Sequence, residues 1–261
     1  MTRRRTRLAR QRGATLLAVL WMTAALSLAA AHLAHLAINS ARSAGHDVQA
    51  VQKAYFYEAG LAYGLGMLTR NGEPGRDIVR GQFDLQGHRI DVAISSEAGK
   101  VDLNTAAPAL IDAALVAAGW QGAEAASRRD ALLDWIDTDD VARAGGSEIA
   151  AYRARGLRYI PANTPFETIT TLELVPGFGS ADVARLRAFA TVQTGRQQPL
   201  PEHIADGLSE ILPSVSAATP LRAASGSVLS IDIALPQQRI RRIAYVRKGR
   251  GGFELIHVEE S

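Results

Sequence analysis

From Ala14 to Ala41 the chain carries no Asp, Glu, Lys or Arg. As a helix those 28 residues would extend roughly 42 Å at about 1.5 Å per residue, and a bilayer core needs only about 20 residues. Six arginines, at 3, 4, 5, 7, 10 and 12, precede the run with no acid among them. The flank after it is mixed and begins with Arg42 and Asp47. The positive-inside rule then puts the N-terminus in the cytoplasm and the body across the membrane. A secretory signal is the other reading, with a shorter apolar core and a small-residue cut near Ala29-Ala30-Ala31. His32 and His35 lie three apart on one helical face, a spacing that suits helix packing before it suits a proton relay.

The overall net charge of +3 belongs to that leader. With residues 1–13 set aside, 23 basic side chains face 26 acidic ones. A body of that sign lacks the basic footprint of a general nucleic-acid binder. There is no cysteine, so disulfides and thiolate zinc sites are both excluded. The six histidines are scattered at 32, 35, 46, 88, 203 and 257. No HExxH, P-loop, strand-linked GxGxxG or GxSxG occurs, and the sequence reads as a non-enzyme.

Beyond the apolar run, Val48, Val51, Tyr55, Ala59 and Ala62 recur at helical steps, with Leu61, Leu65 and Leu68 widening the face. Residues 42–72 are therefore expected as the soluble half of one long helix, stopped by Asn71-Gly72-Glu73-Pro74-Gly75. Gly60 and Gly64 mark a close approach to a sheet. Phe83 to Ile94 reads as a hairpin around Gln86-Gly87. Strand patterns resume at Leu229–Ile233, Ile240–Val246 and Phe253–Val258. The last hairpin is basic, with Arg239, Arg241, Arg242, Arg247, Lys248 and Arg250 suiting a solvated face and charged edge strand. The expected architecture is α+β: an antiparallel sheet from 82–101 and 226–261 packed on the helix. Residues 102–212 form a helical insert, with segments at 106–119, 124–136, 146–156, 167–175, 180–190 and 202–212.

The leader "RQRGATLLAVLW" resembles the class-III leader of type IV prepilins and type II secretion pseudopilins. That resemblance implies cleavage by prepilin peptidase between Gly13 and Ala14, methylation, and retention of residues 14–41 as a transmembrane helix. The fifth mature residue is then Ala18, where most of the class has a glutamate that neutralises a neighbour's N-terminus. A subunit with no neighbour above it needs no such carboxylate, so Ala18 suits a filament tip. The insert carries "VDLNTAAPALIDAALVAAGW", "DALLDWIDTDD", "GGSEIAAYRARGLRYIPANTPF" and "TLELVPGFGSADVARLRAFATV" in that order. This order resembles general secretion pathway protein K, the large minor pseudopilin of type II secretion. The likeness covers nearly the whole chain. Longer members have a second LNxA-type block, where this chain has only "PLPEHIADGLSEILP". The family implies a pilin-like helix on an antiparallel sheet, with an inserted all-α domain of helix-hairpin-helix or SAM-like type. It also implies a single-pass inner-membrane protein with a periplasmic body. The implied partners are minor pseudopilins of the I and J types, the inner-membrane assembly platform and the outer-membrane secretin. The bulky insert would cap the pseudopilus and serve protein export. A type IV pilus minor pilin is the nearer alternative.

Two local features carry chemistry. Asp134, Asp137, Asp139 and Asp140 crowd a helix end, where negative charge opposes the dipole, and Glu148 follows a Gly145-Gly146 turn. Calcium takes six to eight oxygens, and such a loop supplies them, although the EF-hand spacing is missing. The family resemblance also implies calcium here, and Asp137, Asp139, Asp140 and Glu148 are the expected ligands. Leu174-Val175-Pro176-Gly177-Phe178-Gly179 resembles a helix-hairpin-helix turn, which raises a membrane-anchored competence-type DNA binder as the rival reading. Asp182 in the following first turn argues against phosphate there, and no nucleic-acid partner is expected.

Overall fold

A computed structural model describes residues 4–212 and 226–260; among residues 4–48, side chains are described only for part of 19–35. The chain divides into two compact units, Met1–Tyr55 and Phe56–Ser261. Helix α1 is assigned over Arg4–Asn71. In the first unit it exposes Val19, Leu20, Trp21, Met22, Leu26 and Leu28. Among the described residues no helix is long and apolar enough to cross a membrane. The expected span, 14–41, lies largely outside the described side chains, as do those of Gly13, Ala14 and Ala18.

The second unit is a mixed assembly of helix and antiparallel sheet. Five strands run in the order β1-β2-β5-β6-β7, all neighbours antiparallel. They are β1 (Val79–Leu85), β2 (His88–Ser96), β5 (Val228–Leu235), β6 (Ile240–Gly249) and β7 (Gly252–Glu260). Gln86 and Gly87 both take positive φ, 52° and 79°, and Leu85 pairs with His88. Two such residues close a two-residue hairpin whose twist matches its strands.

One sheet face packs on Phe56–Asn71 of α1. Phe56, Met67 and Leu68 are buried with Ile90, Val92, Ile94, Leu229, Ile231, Ile233, Ala244 and Val246. The expected helix stripe is met in part: Leu61, Leu65 and Leu68 pack on the sheet core. Val51, Tyr55 and Ala62 are exposed, and the buried line is Phe56, Gly60, Gly64, Met67 and Leu68. The physical reason is the glycines. A Cβ on Gly60 would sit 2.5 Å from Ile233 Cγ2, and one on Gly64 would sit 2.7 Å from Ile231 Cγ2. Hydropathy reads glycine as neutral, but here it marks the face that touches the sheet.

Between the adjacent strands β2 and β5 lies the insert. Its helices are α2 (Pro108–Ala117), α3 (Gly122–Ile136), α4 (Ile149–Ala154), α5 (Ser180–Leu186) and α6 (Asp206–Ser209), with 3-10 turns at Ile169–Leu174 and Pro201–His203. Two boundaries differ from the sequence expectation. The sheet ends at Ser96 rather than 101. Val101–Asp102 instead forms a strand, β3, paired in parallel with Ala190–Thr191 (β4) inside the insert, so the insert is not wholly helical. The segment expected as helix at 167–175 is 3-10, and that at 202–212 is broken after its first turn. Ile111, Leu115, Trp135, Tyr152, Phe166, Leu172 and Leu186 form a second apolar core.

Candidate functional site

The insert is held by buried polar side chains that bind backbone. Asp102, 1% exposed, accepts through Oδ1 from Asn104 N at 3.0 Å. Through Oδ2 it accepts from Thr194 N, Thr194 Oγ1 and Gly195 N at 2.9, 2.9 and 2.8 Å. Asn104 donates to Phe166 O at 3.0 Å and accepts from Phe166 N at 2.8 Å. The "DLN" word is therefore a clasp that ties the start of the insert to its middle and its end. The word alone does not show that role, because its partners at 166 and 194–195 are distant in the chain.

The acidic loop begins where α3 ends. Asp137 caps the helix, its N–H bonded to Leu133 O at 3.0 Å. Asp134 is fully buried. Its Oδ1 accepts from Arg143 Nη1 at 2.7 Å and its Oδ2 from Ser147 N at 2.8 Å. The same Arg143 nitrogen also donates to Asp137 Oδ2. Asp130 accepts from Gly145 N at 3.0 Å and pairs with Arg129 at 2.7 Å. Burial alone would raise the Asp130 carboxyl, but the Arg129 and Gly145 donors bring it below its ordinary value.

Against these satisfied groups stand several that are not. Glu148 is 4% exposed, and neither Oε1 nor Oε2 has a hydrogen-bond partner. Asp137 Oδ1, Asn163 Oδ1 and the Tyr152 hydroxyl are buried without a partner as well. Burial, then the charges of Asp134, Asp137, Asp140 and Asp139, pushes the Glu148 carboxyl above its ordinary range. Uncompensated buried oxygens of this kind are costly, and an oxygen-coordinated cation is the group that would satisfy them. The donor set fits calcium in kind: carboxylates and an amide carbonyl, all hard oxygens.

Of the four expected ligands, Asp137 and Glu148 contribute the orphaned oxygens. Asp139 and Asp140 sit on the exposed rim, where Asp139 Oδ1 accepts from Val141 N at 2.9 Å. Asn163 was missed. Its signal was an Asn between Pro161 and Pro165, and it adopts φ of 51°, a left-handed conformation that Asn tolerates better than most residues. Among the described residues, no group of three or more His, Asp or Glu side chains is drawn together as a metal site. Arg143, bridging Asp134 and Asp137, stands in the loop instead.

The glycine turn before α5 is also occupied. Gly177 has φ of 100°. Gly179 N–H donates to Asp182 Oδ2 at 3.0 Å, and Arg128 donates to Gly177 O. Arg128 lies 4.5 Å from the Trp120 ring centroid and 5.0 Å from that of Phe178. Asp182, which burial would raise, is held below its ordinary value by Arg185 and the Gly179 N–H, then by Arg128. A phosphate at this turn would meet a carboxylate already in place.

A further group joins insert to sheet. Glu259 on β7 is 3% exposed. It accepts from Ile169 N at 3.0 Å and from Arg187 Nη1 at 2.6 Å. Arg187 also reaches Tyr245 Oη on β6 at 3.2 Å.

Residues 90–195 match the family model for type II secretion system protein K. A crystal structure of the GspK-GspI-GspJ complex from the type 2 secretion system of enterotoxigenic Escherichia coli contains a chain of similar fold. The TM-score is 0.60 at 17% identity, covering 83% of this chain and 98% of that one. No curated protein matches the sequence significantly. The match over residues 90–195 supports a minor pseudopilin role in type II secretion, and the solved structure shows a shared fold. The protein K segment includes β3, the "DLN" clasp, the acidic loop and the glycine turn.

Proposed function

We propose that this chain caps the tip of the type II secretion pseudopilus. The observation that carries the reading is the helical insert between neighbouring strands β2 and β5, most of whose helices lie in the segment that matches protein K. A body of that bulk does not stack between subunits of a filament shaft, so it belongs at an end. The pilin-like part is the helix on its sheet, and the leader sequence supplies the rest of the reading. Prepilin peptidase cuts between Gly13 and Ala14. Residues 14–41 remain as a single inner-membrane span, with the body in the periplasm. Ala18 leaves the tip without the glutamate that shaft subunits need. The solved relative lies in a complex with GspI and GspJ, and the partners proposed here are minor pseudopilins of those two types. The assembly platform and the secretin lie at the two ends of the filament's path. The chain acts by assembly rather than catalysis.

Calcium belongs to this proposal through the orphaned oxygens of Asp137, Glu148 and Asn163. When bound, it supplies a double positive charge to a loop of clustered acids. The residues themselves hold the end of α3 and the start of α4 in register.

N-terminal sequencing of the protein from membranes tests the anchor: a start at Ala14 is expected, whereas a start near Ala31 or Ala34 means an ordinary exported protein. Co-purification with the I and J types tests the assembly. Recovery with type IV pilus subunits instead would assign the chain to that machine.

A further inference from the structure

We infer that Arg143 is a tethered counter-ion that a divalent cation must displace to enter the acidic loop. Metal loading and rearrangement of residues 137–147 are then a single event. This inference rests on the calcium reading above and adds how the site is regulated.

Four observations lead to it. One guanidinium nitrogen of Arg143 bonds both Asp134 Oδ1, at 2.7 Å, and Asp137 Oδ2. The two carboxylates nearest the helix end thus already share one positive charge supplied by the chain itself. Second, the oxygens left over are the ones a cation needs. Asp137 Oδ1, both oxygens of Glu148 and Asn163 Oδ1 are buried and without partners. Asp137 is the shared member, with one oxygen on the guanidinium and one orphaned. Third, the carboxylates do not converge as a metal site while the guanidinium bridges two of them. Fourth, the route out is open. The Arg143 side chain is 37% exposed, against 0% for Asp134, and the preceding residues Thr138–Ala142 are exposed.

A doubly charged ion on Asp137 and Glu148 would stand close to a fixed positive charge, and the two repel strongly in a partly desolvated loop. The guanidinium keeps its charge at any working pH, so it relieves the repulsion only by moving. Its removal to solvent frees Asp137 Oδ2 and lets the carboxylates close on the ion. Asp134 keeps the Ser147 N–H at 2.8 Å and stays as the loop's anchor.

The test is a CaCl2 titration of the full chain in detergent, followed by calorimetry and tryptophan fluorescence. Trp135 stacks on Phe166 at 5.9 Å and lies two residues before Asp137, so it reports loop movement. Wild type, Arg143→Gln and Glu148→Gln are compared. Arg143→Gln is expected to bind calcium at least tenfold more tightly, with the fluorescence change of loading reduced because the bridge is already open. Glu148→Gln is expected to lose binding at least tenfold. An Arg143→Gln variant that folds only with calcium supports the exchange in its extreme form. One that fails to fold with calcium present overturns it, because the guanidinium is then simply structural. Unchanged or weaker binding by Arg143→Gln also overturns it, while Glu148→Gln still reports a working site. If neither wild type nor Arg143→Gln responds to calcium, the calcium reading itself falls and takes this inference with it.

Discussion

The two cores of the Phe56–Ser261 unit are built by different means. On the sheet side, α1 meets the strands through an apolar interface whose distinguishing residues are two glycines, Gly60 and Gly64. In the insert, an apolar core of Trp135, Tyr152, Phe166 and aliphatic residues is threaded by buried Asp102, Asp130, Asp134, Glu148 and Thr191. The difference follows from element length. Long strands satisfy their own backbone by pairing with neighbours. The insert's helices run only 10, 15, 6, 7 and 4 residues, so much of their backbone lies near an end. Helix ends and loops leave N–H groups without partners, and buried carboxylates accept them. A sheet can be specified by alternation, whereas a bundle of short helices needs polar staples at named places.

That contrast is breakable. Asp102→Ala removes four hydrogen bonds from one buried carboxylate and strands their donors. We expect a loss of about 4 kcal/mol, read by urea unfolding, with the signal of Trp120 and Trp135 in the insert lost first. A loss under about 1 kcal/mol would mean that the clasp is ornamental. Glu259→Ala tests the seam between the two regions. It leaves the Arg187 guanidinium, with side-chain exposure of 12%, without its carboxylate and frees the Ile169 N–H. About 3 kcal/mol is expected, with the insert and sheet unfolding in separate steps instead of together. A single cooperative loss would show that apolar contact alone joins them.

Legibility in the sequence divides along the same line. The hairpin at Gln86-Gly87 was readable because alternation and a turn dipeptide agree, and the strand runs at Leu229–Ile233, Ile240–Val246 and Phe253–Val258 lie within β5, β6 and β7. The close approach at Gly60 and Gly64 is readable as a motif, and Leu61, Leu65 and Leu68 of the expected face pack on the sheet, but Val51, Tyr55 and Ala62 lie off the buried line, because the glycines that mark it carry no apolar side chain to read. In the insert, the helix expected at 124–136 matches α3 nearly whole, while the helix expected at 167–175 is a 3-10 turn over Ile169–Leu174. At its start the Thr168 hydroxyl bonds those of Thr170 and Thr171, each at 2.9 Å. The acidic loop was legible as a crowd of carboxylates. Which of them is satisfied was not, since that depends on Arg143, Gly145 N–H and Ser147 N–H, whose positions follow from the fold. Asp102 and Glu259 are invisible as staples for the same reason: their long-range partners lie 72 to 93 residues away along the chain.

The sheet side breaks more gently. Gly64→Val places a Cβ 2.7 Å from Ile231 Cγ2 and 3.4 Å from Val92 Cγ1. Both are branched side chains fixed in a packed sheet, so the helix must lift. We expect about 2 kcal/mol from overpacking, and Gly64→Ala about half as much. If Val is tolerated without a change in urea midpoint, the glycine face is not the contact that holds α1 to the strands.

The smallest effect has the opposite sign, and it sharpens the comparison most, because among the described residues the buried carboxylate oxygens without a partner all lie in the insert. The raised Glu148 carboxyl binds its proton more tightly folded than unfolded. Its contribution therefore favours the fold at low pH and is lost as pH rises through that raised value. Asp130 and Asp182 are lowered, so they favour the fold above the ordinary carboxylate range and lose their effect as pH falls. At pH 8 in EDTA, Glu148→Gln removes a buried charge and keeps the shape. It is expected to raise the melting temperature by about 3 °C, equivalent to about 1 kcal/mol for a chain of this size. By pH 5 the gain should shrink, because wild-type Glu148 then carries its proton more of the time. With millimolar calcium the order should reverse, since the variant loses a ligand. A variant less stable than wild type at pH 8 in EDTA would show that Glu148 already has a partner in the folded chain, and the orphaned oxygens would cease to argue for a cation.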